Sequence, residues 1–236
     1  MVQLNAAARE LTIKVVYYGP GLSGKTTNLQ QIHARLAPEI RGRLLSVETH
    51  DDRTLFFDLL PVFFESQQGL KVKVKLYTVP GQVIHQATRK LVLQNADAVA
   101  FIANSQRDAI QENNEYWANL LANLKDNGLD PEEIPVVIQF NKLDLPNAKT
   151  PQELEDVRKR GAEPIFGAVA VRGEGVLETL HGVLQAAYRH LDKKHGLSTR
   201  LSLTEEQFLG GVFRSLDLKG TALESQFTPP AAQGAS

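Results

Sequence analysis

The stretch Gly19-Pro20-Gly21-Leu22-Ser23-Gly24-Lys25-Thr26 decides how the rest of the chain is interpreted, because it matches the phosphate-loop pattern G-x-x-x-x-G-K-[ST]. A β-branched and aromatic run at 11–18 precedes it and predicts a strand, and the segment 25–37 that follows has helical composition. Glycines in such a loop let backbone N–H groups turn toward phosphate oxygens, and the helix N-terminus adds partial positive charge there. An ordinary glycine-rich turn would not need the complete eight-residue pattern in this setting.

We therefore predict that this loop binds the phosphates of a nucleotide together with Mg²⁺. Lys25 is expected to contact the β- and γ-phosphates as a point charge and to act in catalysis, and the Thr26 hydroxyl is expected to bind Mg²⁺. The predicted phosphate-binding residues are Gly19, Gly21, Leu22, Ser23, Gly24, Lys25, Thr26 and Thr27.

Strand-like and helix-like segments alternate along the rest of the chain, and helices are predicted at 109–125, 151–160 and 175–194. Apolar runs at 96–104, 134–141 and 164–171 lack polar alternation, which is typical of central parallel strands covered on both faces. The runs 44–65 and 70–77 are separated by a short glycine-containing turn and predict an antiparallel hairpin. The chain is therefore predicted to be an α/β protein, with a mostly parallel six-stranded sheet, one antiparallel edge hairpin and helices on both faces.

A second motif, Asn141-Lys142-Leu143-Asp144, favours guanine over adenine. It begins where a predicted strand ends, which is the edge at which ligands bind in doubly wound sheets. The Asp144 carboxylate is expected to accept hydrogen bonds from N1–H and the 2-amino group of guanine, Asn141 to tie neighbouring loops, and Lys142 to pack along the base. A backbone N–H within Ala168-Val169-Ala170, just after the next predicted strand, is expected to meet guanine O6. The predicted base-binding residues are Asn141, Lys142, Asp144, Val169 and Ala170.

A third segment, Pro80-Gly81-Gln82, follows the predicted strand at 70–77. The Gly81 N–H is expected to bind the γ-phosphate, and the Gln82 amide to orient the attacking water in GTP hydrolysis. A polar residue in a surface loop is the simpler interpretation of Gln82, and its place directly after a glycine at a strand end argues against it.

Together these motifs resemble the Ras-like small GTPases, and in particular the MglA-type bacterial GTPases of gliding motility and cell polarity. The resemblance covers about 11–195 and is carried by three stretches. These are Tyr17-Tyr18-Gly19-Pro20-Gly21-Leu22, Asp52-Arg53-Thr54-Leu55-Phe56-Phe57-Asp58 and Tyr77-Thr78-Val79-Pro80-Gly81-Gln82. It implies a Ras-like P-loop G domain at 1–195, followed by a C-terminal extension at 196–236 that is partly helical or disordered.

The resemblance also assigns roles in the segment around Arg53. From the residues alone Arg53 reads as a solvated arginine paired with a neighbouring aspartate, whereas the resemblance implies an arginine finger supplied in cis. Thr54 resembles the switch threonine whose hydroxyl joins the Mg²⁺ shell, with Thr49 as an open competitor. The expected catalytic residues are Gln82, Arg53 and Lys25, and the expected metal ligands are Thr26 and Thr54.

Thr78 stands where the wider Ras pattern D-x-x-G has an aspartate near Mg²⁺. A threonine can hold a metal-bound water but cannot neutralise the ion, so the sequence predicts weaker Mg²⁺ retention than in a GTPase with the aspartate. The same residue is the support for an alternative function, a nucleotide-dependent binding module that hydrolyses little GTP and acts as a scaffold. A P-loop kinase or ATPase is disfavoured by the guanine motif.

Composition narrows the partners and the location. Lys and Arg number 26 against 27 Asp and Glu, a net charge of −1, so the basic footprint of a nucleic-acid-binding protein is lacking. Cysteine is absent, which excludes disulfides and cysteine-borne lipid anchors, and neither a myristoylation glycine, a signal peptide nor a 20-residue apolar span is recognised. We expect a cytoplasmic protein without its own membrane anchor, recruited to cell poles or motility complexes by partners.

The resemblance implies which partners these are. It points to an MglB-like GTPase-activating protein of the Roadblock type and to effectors of polarity or motility, and it admits an exchange factor. The expected function is a GTP-binding switch that hydrolyses GTP to GDP and phosphate. The extension from Gly196 is expected to bind a partner, to fold back on the domain or to stay unstructured. Within it, an apolar stripe at 204–216, which Gly210 and Gly211 interrupt, favours a partner role.

Overall fold

A single sheet with helices on both faces organises the residues that a computed structural model describes, namely 3–5, 9–48 and 56–227. The strands are β1 Gln3–Asn5, β2 Glu10–Tyr18, β3 Leu45–Glu48, β4 Phe56–Glu65, β5 Lys71–Thr78, β6 Ala98–Asn104, β7 Val136–Asn141 and β8 Ile165–Gly167. The helices are α1 Lys25–Arg35, α2 Gln86–Leu93, α3 Ile110–Asp126, α4 Pro151–Arg160, α5 Val176–His195, α6 Leu197–Arg200, α7 Glu205–Phe213 and α8 Glu224–Phe227.

The sheet order is β3-β4-β5-β2-β6-β7-β8, with β1 antiparallel against β2. Strands β5, β2, β6, β7 and β8 run parallel to one another, and β4 pairs antiparallel with both β3 and β5. The predicted α/β class, the mostly parallel sheet and the antiparallel hairpin are confirmed. The sheet differs from the predicted six strands by the short β1 and β3, because strands of three or four residues carry too little periodic signal to be recognised.

Alternate residues of the central strand β2 enter different cores. Leu11, Ile13 and Val15 belong to the apolar cluster that α1 and α5 cover, and Val16 and Tyr18 belong to the cluster beneath α3. All five side chains are fully buried. This two-sided burial explains why the sequence of the strand is nearly continuously apolar, and it fixes the strand end from which the phosphate loop departs.

The segment after α5 folds back onto the domain. Phe208 is fully buried in the same cluster as β2 and α5, with its ring stacked on Tyr188 of α5 at 5.6 Å and tilted against Phe64 of β4 at 5.9 Å. Of the three alternatives for the extension, folding back is the one that its described part, 196–227, has. The apolar stripe at 204–216, for which a partner role was favoured, is packed on the domain itself. The boundary at residue 195 stays a prediction.

Helix α7 runs through the glycines that were expected to interrupt it. The Thr204 hydroxyl accepts a hydrogen bond from the Gln207 N–H in a reciprocal capping box, which starts the helix. A Cβ at Gly211 would collide with the Phe64 ring of β4. The glycine is therefore a packing residue, which lets the helix approach the strand closely, and the prediction of an interruption there was wrong.

Within the part of the chain that the structure describes, no helix is long and apolar enough to cross a membrane.

Candidate nucleotide-binding site

The phosphate loop connects β2 to α1 as a turn in which several residues have positive φ values. Gly19 and Gly24 have φ values of 141° and 102°, and Leu22 has a φ of 57°. At Gly24 a Cβ would collide with the Asn141 side-chain amide, so only glycine lets the two loops approach each other so closely. The predicted strand–loop–helix setting of the motif is confirmed.

Asn141 ties this loop to the loop after β8. Its Nδ2 donates to the Ser23 carbonyl at 2.8 Å, and its Oδ1 accepts from the Ala170 N–H at 2.9 Å. The side chain is 3% exposed, so both bonds are shielded from water. The tying role expected for Asn141 is the geometry observed.

Asp144 and Lys142 lie in the turn after β7. Asp144 Oδ2 is 3.8 Å from Arg172 Nη2, and the carboxylate is partly exposed. Lys142 has a φ of 69°, so the chain turns sharply at this point, and the Leu143 N–H donates to the Ala168 carbonyl at 3.2 Å. A carboxylate is thereby placed beside the loop that Asn141 ties to the phosphate loop.

The backbone N–H groups expected to meet guanine O6 already have partners, and that of Ala168 donates to the Phe140 carbonyl at 2.9 Å. The Val169 N–H donates to the Glu174 carbonyl at 3.0 Å, and the Ala170 N–H is the donor to Asn141. The contact between a backbone N–H of this loop and guanine O6 stays a prediction. Val171 follows as the second residue of a short 3-10 turn at 170–172 and is 69% exposed.

Lys25 is the cation at the centre of the phosphate loop. It is 6% exposed, and its Nζ donates to the carbonyls of Gly19 at 3.0 Å and Pro20 at 2.6 Å. Burial lowers the pKa of Lys25 from its ordinary 10.5 to about 7, and the nearby Arg89 charge acts in the same direction. Because burial disfavours the charged form of Lys25, the loop is suited to an anionic ligand, which would favour the ammonium form again.

Buried Lys25 is expected to take up a proton when a nucleotide binds. Between about pH 7 and 10.5, Lys25 is protonated in the unfolded chain and neutral in the folded, nucleotide-free protein. The unfolded state then binds more protons, so the free energy of unfolding should rise with pH in that window. A bound phosphate favours the ammonium, so at about pH 8.5 binding of GDP should take up close to one proton. Calorimetry of GDP binding in two buffers of different ionisation enthalpy measures this uptake, and equal heats in both would contradict it.

Asp58 on β4 is a site residue that the sequence analysis missed. Its Oδ2 accepts hydrogen bonds from the hydroxyls of Thr26 at 2.6 Å and Thr78 at 2.9 Å, and its Oδ1 accepts from the Ser46 hydroxyl at 2.7 Å. The residue is 9% exposed. The structure thus places, beside the predicted Mg²⁺ ligand Thr26, the carboxylate that position 78 lacks.

This carboxylate reaches Thr78 through strand pairing. Leu59 of β4 is opposite Tyr77 of β5, so Asp58 and Thr78 are neighbours at the end of the hairpin, and the Asp58 N–H donates to the Thr78 hydroxyl at 2.9 Å. The signal in the sequence was the single carboxylate in the apolar run Phe56-Phe57-Asp58-Leu59-Leu60. A charged residue inside a buried strand needs hydrogen-bond partners, and here these include the hydroxyls of Thr26 and Thr78.

The segment Pro80-Gly81-Gln82 closes the cavity on the far side. A Cβ at Gly81 would collide with Gly21 of the phosphate loop, so the two backbones pass in close contact. Gln82 is exposed, and its Oε1 lies 3.2 Å from His85 Nε2. A cavity of about 400 Å³ lies between this segment, the phosphate loop and β4, and Lys25, Thr26, Asp58 and Gly81 are among its lining residues.

Three of the predicted residues have no structural outcome. Arg53 and Thr54, together with the competitor Thr49, lie in the segment 49–55 outside the described residues. Their roles stay predictions from the resemblance.

A buried polar cluster keeps the two nucleotide motifs in register. Gln139 on β7 is fully buried, and its amide exchanges hydrogen bonds with Asn28 of α1 at 2.9 and 3.0 Å and donates to the Thr179 hydroxyl of α5 at 2.7 Å. Asn28 is two residues after Thr26, the last residue of the phosphate-loop motif, and Gln139 is two residues before Asn141, the first residue of the guanine motif. A buried network that is fully satisfied specifies a single arrangement of the elements that carry it.

Comparison with known proteins identifies two proteins to which this chain is similar in sequence. The chain is 47% identical over 190 residues to the mutual gliding-motility protein MglA of Myxococcus xanthus, and the alignment covers 80% of this chain and 97% of that protein. It is 24% identical over 189 residues to ADP-ribosylation factor-like protein 6 of Caenorhabditis briggsae, covering 77% of this chain and 90% of that protein. No protein-family model matches the chain.

Proposed function

Since this chain belongs to the MglA family of Ras-like small GTPases, we propose that it is a GTP-binding switch that hydrolyses GTP to GDP and phosphate and controls cell polarity or motility. The observation that carries the proposal is the contact between its two nucleotide motifs, the 2.8 Å hydrogen bond from Asn141 to Ser23. A phosphate loop and a guanine motif that share one buried side chain form one site for one guanine nucleotide.

The nucleotide is held at two ends. The phosphates lie in the loop 19–27 against the Lys25 ammonium, and the base lies beside Asp144 over the Lys142 stem. We assign the contact with guanine O6 to the Val171 N–H, because the first N–H groups of a helical turn have no acceptor inside the turn and that of Ala170 is taken by Asn141.

Thr26 and Asp58 are the described residues that would hold Mg²⁺, with Thr54 from the resemblance as a further ligand. Hydroxyl and carboxylate oxygens are the donors that Mg²⁺ prefers, and here they touch one another at 2.6 Å. When bound, the ion neutralises charge on the phosphates. The retention expected to be weak on account of Thr78 is therefore proposed to be restored by the neighbouring strand.

Hydrolysis depends on residues at the mouth of the site. The Gln82 amide orients the water, the Lys25 ammonium contacts the γ-phosphate, and Arg53 acts as the arginine finger in cis. Because the Gln82 side chain is exposed, intrinsic hydrolysis is slow and needs a partner that orders it. We propose an MglB-like Roadblock GTPase-activating protein as that partner, an exchange factor, and polarity or motility effectors that recruit the protein to cell poles.

Phosphate release from the GTP-loaded protein tests this function. With a saturating MglB-type partner, Arg53→Ala and Gln82→Ala are each expected to lower the stimulated rate at least about tenfold, since a placed arginine finger contributes ~10³–10⁵ in rate. GDP affinity should stay unchanged in both. Wild-type stimulated rates in both variants would contradict the catalytic roles.

The same measurement decides the alternative of a binding module with little hydrolysis. That alternative was supported by Thr78, and Asp58 now supplies a carboxylate at the same place. A wild-type protein that binds GTP and releases no phosphate with any amount of partner would establish the alternative.

A further inference from the structure

The carbonyl groups of Pro80, Gly81 and Gln82 all point at donors from α2 and α3. Arg89 of α2 donates from Nη1 to the carbonyls of Gln82 and, at 3.5 Å, of Pro80. Tyr116 of α3 donates its hydroxyl to the Gly81 carbonyl at 2.5 Å. Three successive peptide groups next to the cavity are therefore held from the side of the two helices.

The two donors are themselves locked in place. Arg89 is 3% and Tyr116 is 7% exposed, and the guanidinium lies 5.4 Å from the centre of the tyrosine ring. Arg89 Nε donates to Asn119 Oδ1 at 3.1 Å, and its Nη2 donates to Gln86 Oε1 at 2.7 Å. Asn119 Oδ1 also accepts from the hydroxyl of Tyr18, at the end of the strand that carries the phosphate loop.

This arrangement has a consequence for the opposite side of the same peptides. In a trans peptide the carbonyl and the following N–H point in opposite directions, so a Pro80 carbonyl drawn toward Arg89 turns the Gly81 N–H away from the helices. The cavity that contains Lys25 is lined by Pro80 and Gly81. The hydrogen bond from Arg89 to the Pro80 carbonyl thereby orients the Gly81 N–H, the group expected to bind the γ-phosphate.

We propose that Arg89 and Tyr116 are positioning residues for GTP hydrolysis, which hold the backbone of 80–82 so that the Gly81 N–H and the Gln82 side chain meet the reacting groups. The inference rests on the proposed function. Buried donors of the protein's own helices fix the backbone of this segment. Only the exposed Gln82 side chain is then left for a partner to order. Neither Arg89 nor Tyr116 touches the nucleotide in this scheme.

The test uses Tyr116→Phe, which keeps the ring beneath the guanidinium and removes only the hydroxyl. Losing one hydrogen bond that orients the loop is expected to lower the single-turnover rate of preloaded GTP about five- to tenfold. The affinity for GDP should stay within about twofold, because the phosphate loop and guanine motif are untouched. Arg89→Lys, which keeps the charge and loses the planar fork, should lower the same rate.

Tyr188→Phe is the matched control. The Tyr188 hydroxyl also donates to a backbone carbonyl in the protein interior, that of Leu203 at 2.7 Å, and it lies in α5 against the C-terminal segment. This variant should hydrolyse GTP at the wild-type rate. A wild-type rate in Tyr116→Phe, an equal fall in both variants, or a parallel loss of GDP affinity would each overturn the positioning role.

The outcome also separates this inference from the proposed function. If the wild type hydrolyses GTP, Gln82→Ala is slow and Tyr116→Phe is not, the positioning role fails and the function stands. If the wild type fails to hydrolyse GTP with its partner, the function fails, and the positioning role fails with it.

Discussion

Replacing Asp58 by asparagine is expected to weaken Mg²⁺ retention in the nucleotide-bound protein by about 10–100-fold, the usual effect of losing an oriented carboxylate beside a metal. The carboxylate accepts hydrogen bonds from Thr26, Thr78 and Ser46, so an amide of the same shape keeps the packing and removes the charge. Release of a fluorescent GDP analogue, followed against free Mg²⁺ concentration, should show its midpoint shifted upward by this factor.

Two further variants sharpen this experiment. Asp97→Asn is the control, because Asp97 is also buried, accepts from the Lys14 N–H at 2.8 Å and lies before β6, far along the sheet from the phosphate loop. Its midpoint should equal that of the wild type. Adding Thr78→Asp to Asp58→Asn returns a carboxylate to the same place from the neighbouring strand and should recover part of the retention. A wild-type midpoint in Asp58→Asn would remove Asp58 from the metal site.

Replacing Phe208 by alanine is expected to lower the free energy of unfolding by about 3–5 kcal/mol, as for other fully buried phenylalanines. The ring lies between Tyr188 of α5 and Phe64 of β4, so its loss opens a cavity where three elements meet. Packing at this point is tight, since Gly211 on the same helix has no room for a Cβ. The segment after residue 195 is therefore expected to contribute strongly to stability, although the sequence predicts it to lie outside the G domain.

Urea unfolding of the GDP-loaded protein measures this effect. Phe63→Ala is the matched control, because Phe63 is the neighbour of Phe64 on β4 and is 41% exposed, and it should cost much less than Phe208→Ala. Deleting 196–236 should destabilise the protein further, since it uncovers the apolar faces of α5 and β4. A loss below about 1 kcal/mol in Phe208→Ala would show that α7 contributes little to the fold.

Much of the fold was readable because its signals are local. The helix predicted at 151–160 is α4, and that predicted at 175–194 is α5 to within one residue at each end. In α5 the apolar positions recur with the helical period and face the sheet, so a short window of sequence contains the information. The three- and four-residue strands β1 and β3 were missed because no such window exists for them.

The site was predicted unevenly for the same reason. The phosphate loop and the guanine motif are each contiguous in sequence, so a local pattern is enough to recognise their residues. Asp58 was not recognised, because its role comes from Thr78, twenty positions away, and from Thr26, thirty-two positions away. The Ala170 N–H donates to Asn141, twenty-nine positions away, and no local pattern encodes that bond.

The sequence by itself determined the class of ligand and the kind of domain, because glycine, lysine and carboxylate positions within runs of four to eight residues state the chemistry of a phosphate and a guanine. Only the tertiary structure decided which other groups lie beside these motifs. The register of β4 against β5 brings Asp58 beside Thr78, and the packing of α3 brings the Tyr116 hydroxyl to the Gly81 carbonyl across thirty-five residues of chain. Such pairings depend on strand register and helix packing, which are set by the whole core and by no single segment.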